Sequence, residues 1–140
     1  MLLIDSSVWI DWLRGEDTDA VRFVQAREAQ EELALTQMIY LEVLQGVSSQ
    51  RQFAVTQKVL GAQTILYPQD DLETFETAAH LYRRARAKGY TIRKSTDCLI
   101  AAIALEHGAL LVHNARDFLA LAQVEPQLHI YPHRPLAPAQ

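Results

Sequence analysis

Residues 1–12 read Met1-Leu2-Leu3-Ile4-Asp5-Ser6-Ser7-Val8-Trp9-Ile10-Asp11-Trp12. Leu2-Leu3-Ile4 is a short, wholly apolar run that stops at an acid, the pattern of a parallel strand buried on both faces. Ser7 to Arg14 then reads as a helix, pairing Val8 with Trp12 and Trp9 with Leu13 at i,i+4 and ending at Gly15. The two tryptophans read as core packing. A strand followed at once by a helix is half of a βαβ unit, which would put Asp5 at the carboxyl edge of a sheet.

Working outward, the same alternation continues. Helices are predicted over Asp19–Ala29, Gln37–Val47 (capped by Thr36), Gln50–Leu60, Thr96–His107 and Asp117–Leu121. Strands are predicted over Leu33–Leu35, Thr64–Tyr67, Ala109–Val112 and Leu128–Tyr131. Asp70-Asp71-Leu72-Glu73 resembles a capping box. It opens an amphipathic helix that runs to Gly89 and presents Leu72, Phe75, Ala79 and Tyr82 on one face, expected to be the buried one. Short apolar strands alternating with helices imply an α/β fold with a parallel sheet covered on both faces, and ligands in such sheets sit at the carboxyl ends of the strands.

With 140 residues, the chain fits one domain over residues 1–131. Residues 132–140 hold three of the five prolines and read as a poorly ordered tail. The longest apolar run, Cys98–Leu105, is too short to span a bilayer, so no membrane role is expected. The start of the chain lacks the basic flank of a secretory signal. Cys98 is the only cysteine, which excludes an internal disulfide and a cysteine zinc site and fits a cytoplasmic location. The formal net charge is −4, yet six of the thirteen basic residues (Arg83, Arg84, Arg86, Lys88, Arg93, Lys94) lie between Arg83 and Lys94. Such a stripe either holds phosphates locally or is a solvated helix end.

Three acids stand out. Asp5 follows the first strand, where it either caps the next helix or lines a site. Glu42 is the only charged residue from Met38 to Val47, in a helix whose polar wedge is just Glu42, Gln45 and Gly46; the helix reads as largely buried, and the wedge either faces water or, the favoured reading, puts Glu42 in the lining of a cleft. Asp97 opens a helix that is apolar on nearly every side until Glu106, the expected central helix of the domain. Asp117, after the Ala109–Val112 strand, is a fourth candidate, with Asn114 as an alternative oxygen donor. Carboxylates are the preferred ligands of Mg²⁺ and Mn²⁺. Gathered together they repel unless a cation lies between them, and with one they can activate water and stabilise charge building on a phosphodiester. Cys98, inside an apolar run, reads as inert packing. His107 suits a helix end. His113 is a weaker candidate to line the cleft.

DSSVWI from Asp5, IYLEVLQG around Glu42, DCLIAAIAL from Asp97 and LLVHNARDF ending at Asp117–Phe118, in this order, resemble the PIN domain, and more closely the VapC-type toxins of toxin–antitoxin pairs. The resemblance covers Leu2 to about Tyr131. It implies a three-layer α/β/α sandwich with a short parallel sheet. It also implies an endoribonuclease dependent on one or two Mg²⁺ or Mn²⁺ ions, usually a homodimer and paired with a small antitoxin that blocks the acidic cleft. Carried over by motif, Asp5, Glu42 and Asp97 match the three core acids and Asp117 the acid of the closing motif; Ser6 or Ser7 matches a hydroxyl that orients ligands. The sequence departs from the pattern at His113, where a threonine is common, and at Asn114, where an acid is frequent; an uncharged Asn114 weakens the case for a second ion. Arg93 and Lys94, nearest to Asp97, are the expected RNA phosphate contacts. Three rival readings are weighed. A housekeeping PIN-domain RNA-processing nuclease and a non-catalytic PIN-fold interaction module share the fold. A phosphatase of the haloacid-dehalogenase type would need an acid where Ser7 stands.

Overall fold

The computed structural model describes residues 1–137. Five parallel strands, β1 (Leu2–Ile4), β2 (Leu33–Leu35), β3 (Thr64–Ile65), β4 (Leu110–Val112) and β5 (Ile130–Tyr131), form one sheet in the order β3-β2-β1-β4-β5. Leu2, Leu3 and Ile4 are fully buried, as the apolar run implied. From β1 the chain winds outward through β2 to β3, then crosses back to β4 and continues outward to β5. The strand order therefore reverses between β1 and β4, and that is where a crevice opens at the carboxyl edge of such a sheet.

Seven helices make up the connections: α1 (Ser6–Leu13), α2 (Asp19–Gln25), α3 (Gln37–Gln45), α4 (Gln50–Gly61), α5 (Glu73–Ala87), α6 (Ser95–His107) and α7 (Arg116–Val124). They pack as two groups, α1 with α2 and α3 and then α3 with α4, and separately α5 with α6 and α7. Parallel crossovers are right-handed, so reversing the winding direction places the two groups on opposite faces of the sheet, giving three layers. The second helix is shorter than expected, ending at Gln25 before a run of turns. Helix α6 is buried from Asp97 to Ala104 and is the central helix. It ends at Gly108, whose φ of +62° suits a residue without a Cβ.

Three local expectations are corrected. In α5 the buried residues are Thr74, Ala78, Leu81 and Ala85, whereas Leu72 is 76% and Phe75 51% exposed, so the expected core face points outward. The Thr74 hydroxyl bonds the Glu106 carboxylate, which lets a polar residue occupy a buried position. Asp70 does cap the start of α5, accepting from the Leu72 and Glu73 amides, but its own amide is answered by the Thr74 hydroxyl instead of Glu73. Helix α3 is only half-buried: Ile39, Val43 and Leu44 face the core while Leu41 is 62% exposed.

Residues 132–137 have no regular secondary structure but touch the body at two points, the Tyr90 hydroxyl donating to the Leu136 carbonyl and His113 bonding the Pro132 carbonyl. The rest of the expected tail, 138–140, lies outside the described residues. Among the described residues no helix is long and apolar enough to cross a membrane.

The two faces of α5 make a direct test. Leu81→Ala removes a side chain that is 1% exposed and should cost about 2–5 kcal/mol in urea unfolding. Phe75→Ala should stay within about 0.5 kcal/mol of wild type; equal losses at both positions would reverse the assignment of faces.

Candidate active site

The Asp5 amide donates to the Val112 carbonyl at 2.9 Å, so the ends of β1 and β4 are locked together beside the crevice. Asp5 occupies the N-cap position of α1 but makes no side-chain capping bond. Its Oδ2 instead accepts from the Ser7 hydroxyl at 3.3 Å. The carboxyl is 5% exposed, and burial pushes its pKa to about 6, against the lowering effect of the Ser6 amide; Glu42 raises it further. Ser6 itself is buried next to it.

Asp97, in the first turn of α6, is 6% exposed. Burial, then the charge of Asp5, then a hydrogen bond and repulsion from Asp117, push its carboxyl up to about 8. Asp117 also fails to act as a cap: its Oδ2 accepts from the main-chain amides of Arg93 (3.0 Å) and Lys94 (3.1 Å), tying α7 to the loop before α6. Its Oδ1 is buried without a donor.

Glu42 reaches the same region from α3. Its side chain is 21% exposed, with Oε2 paired to the Lys94 ammonium at 3.3 Å and Oε1 buried without a partner. Asp5, Glu42, Asp97 and Asp117 are thus one electrostatic cluster. Asn114 is exposed, and so is the Arg93 side chain, which enters the site only through its amide.

Other candidates prove structural. His113 is 2% exposed, with Nε2 on the Pro132 carbonyl at 2.9 Å and Nδ1 accepting from the Ala115 amide at 3.0 Å, so it packs beneath the cleft instead of lining it. His107 bonds the Tyr67 carbonyl. Burial pushes the Cys98 thiol up to about 12, consistent with inert packing. In the basic stripe, Arg84 is held by Glu125 and the Val124 carbonyl and Arg86 by the Tyr82 hydroxyl. The main-chain amides of Arg93 and Lys94 carry no sequence signal as ligands of Asp117, because any residue but proline has one.

The cluster fits a hard divalent cation. It offers oxygen donors only, two carboxyls whose charged forms are disfavoured, and two buried oxygens without donors. Among the described residues, however, no three His, Cys, Asp or Glu side chains are gathered closely enough to hold an ion as they stand. Glu42 is turned to Lys94 instead.

A family model of the PIN domain matches residues 2–124. The chain belongs to the PIN-domain family. Ribonuclease VapC11 of Mycobacterium tuberculosis is 34% identical over 128 residues, 89% of this chain and 93% of that protein. Ribonuclease VapC19 of the same organism is 31% identical over 127 residues, 90% of this chain and 98% of that one. The fold of this PIN domain also matches VapBC2 of Rickettsia felis bound to a DNA fragment of its promoter, with a TM-score of 0.71 over 92% of this chain and 96% of that one, at 16% identity.

The raised carboxyls set a pH dependence for the metal-free PIN domain. Folded Asp5 and Asp97 keep protons that the unfolded chain, with a carboxyl value near 3.8, has released. Their contribution to stability is therefore complete below about pH 4 and is lost as pH rises toward 6 for Asp5 and 8 for Asp97. In a chelator the melting temperature should fall across this range. Asp97→Asn should flatten the upper part and be the more stable protein near pH 8, as scanning calorimetry would record.

Proposed function

We propose that this VapC-type PIN domain hydrolyses RNA at the crevice formed by Asp5, Glu42, Asp97 and Asp117, and that it is the toxin of a toxin–antitoxin pair. The observation that carries the reading is the burial of Asp5, Asp97 and Asp117 in one mutually repelling cluster at the point where the sheet reverses. Like charges held that way in a low dielectric call for a cation. Relatives named as ribonucleases, at 34% and 31% identity, support RNA as the substrate.

In this reading the four acids hold Mg²⁺ or Mn²⁺. A divalent ion there supplies positive charge to a phosphodiester and makes water a better nucleophile. The chain's own groups prepare the place: Ser7 orients Asp5, and the Arg93 and Lys94 amides fix one oxygen of Asp117 and leave the other open. Arg93 and Lys94 side chains, both exposed, contact the phosphates that flank the cut. Asn114 is too exposed to be one of the main ligands, which favours a single tightly held ion.

The antitoxin would present a basic side chain to the acidic cluster. Its apolar segment would lie in the groove of about 660 Å³ between α1, α3 and α4, lined by Leu13, Val43 and Val55. The exposed Leu72 and Phe75, with the half-buried Tyr82 beside them, would pack against a second copy in a homodimer. Growth arrest on expression, relieved by a neighbouring gene product, separates a toxin from a housekeeping nuclease.

Purified protein with Mn²⁺ should cut structured RNA, and Asp5→Asn or Asp97→Asn should lower the rate by roughly two orders of magnitude or more with the fold intact by circular dichroism. Full activity in either variant removes the site. In the uncut complex with Asp5→Asn, adding Arg93→Glu and Lys94→Glu should weaken RNA binding. It should also lower the salt slope by up to about 1.4, two contacts at about 0.7 each for single strands. An unchanged slope makes the basic loop a solvated surface.

A further inference from the structure

Lys94 touches the acidic cluster twice. Its amide braces Asp117 at 3.1 Å, and its ammonium lies 3.3 Å from Oε2 of Glu42, which comes from α3, 52 residues earlier. The charges of Asp97 and Asp5 also act on it. Of the basic groups in the Arg83–Lys94 stretch, Arg84 and Arg86 are committed elsewhere, and the Arg93 side chain makes no ion pair among the described residues. Among the described residues, Lys94 is the one side-chain cation resting on a candidate ligand.

The fit is incomplete. A monovalent ammonium on a flexible stem satisfies one oxygen of Glu42, while Oε1 of Glu42 and Oδ1 of Asp117 remain buried without donors. The Lys94 side chain is 61% exposed against 21% for Glu42, so it can leave without disturbing the core. A compact divalent ion would serve the unanswered oxygens better. Glu42 cannot turn fully to such an ion while it holds Lys94.

We propose that Lys94 is a resident stand-in for the cation: its ammonium neutralises and holds Glu42 until a divalent ion arrives, and is then displaced to the crevice mouth to meet the substrate phosphate. This rests on the metal reading of the site and adds a competitor built into the chain. Metal entry and phosphate capture become linked events, because the group that the ion expels is the group the phosphate needs. A lysine that only braced Glu42 would act with the opposite sign, since its loss would loosen a ligand and weaken the ion's hold.

Calorimetric titration of the chelator-stripped protein with Mn²⁺ alone, at low salt and without RNA, tells these apart. Lys94→Met should bind Mn²⁺ about 2- to 5-fold more tightly than wild type, the range expected when an exposed ion pair no longer competes. Lys94→Arg, which keeps the charge, should stay near wild type. Arg93→Met, which removes a nearby cation that rests on no acid, should change affinity by less than about 1.5-fold. Circular dichroism confirms folding, and Lys94→Gln repeats the measurement should the methionine variant misfold. Equal or weaker binding by Lys94→Met overturns the stand-in while leaving the metal site in place. Equal tightening by Arg93→Met reduces the effect to general field and also overturns it. Wild-type protein that takes up no Mn²⁺ overturns the metal reading and this inference together.

Discussion

Carboxylates that repel one another are held in a crevice from which water is largely excluded, and the architecture around them is arranged to keep them there. Asp5 is fixed because β1 ends where it hydrogen-bonds to β4. Asp97 is fixed because the helix that carries it is buried from Asp97 to Ala104. Asp117 is held by two amides from the loop that leads into α6. Each acid is thus anchored by an element whose own stability comes from apolar burial elsewhere. Burial first, and the charges of neighbouring acids after it, favour the protonated forms and raise Asp5 to about 6 and Asp97 to about 8. Local instability of this kind, sustained by a consistent fold, is expected where a protein binds an ion.

The parts of this arrangement that could be read from the sequence are those in which one residue type breaks a local pattern. Leu2-Leu3-Ile4 ending in Asp5, and an apolar helix opening at Asp97, are interruptions that hydrophobicity alone does not explain, and the structure brings both residues together. The alternation of apolar runs and helices likewise indicated the parallel sheet. Helix α5 shows where such reading fails. Its apolar residues 72, 75, 79 and 82 and its buried residues 74, 78, 81 and 85 are both valid helical stripes, about 100° apart. Size favoured the first stripe. Close packing on α6 and α7 selected the second, in which alanines and a hydrogen-bonded threonine let the helices approach. The contacts of Asp117 with residues 23 and 24 positions earlier, and of Glu42 with Lys94, depend on tertiary placement and leave no local trace.

His113 explains how the turn after β4 is made rigid enough to present Asp117. Its Nδ1 accepts from the Ala115 amide just ahead of α7, and its Nε2–H donates to the Pro132 carbonyl beyond β5. One ring therefore ties the start of α7 to the chain beyond the edge strand of the sheet. A neutral ring is required, because Nδ1 can accept only when it carries no proton. Burial supplies that condition by lowering the His113 pKa, and the edge of Phe118 against the ring adds packing to it. The histidine that departs from the expected threonine thus braces the turn from which α7 and Asp117 start.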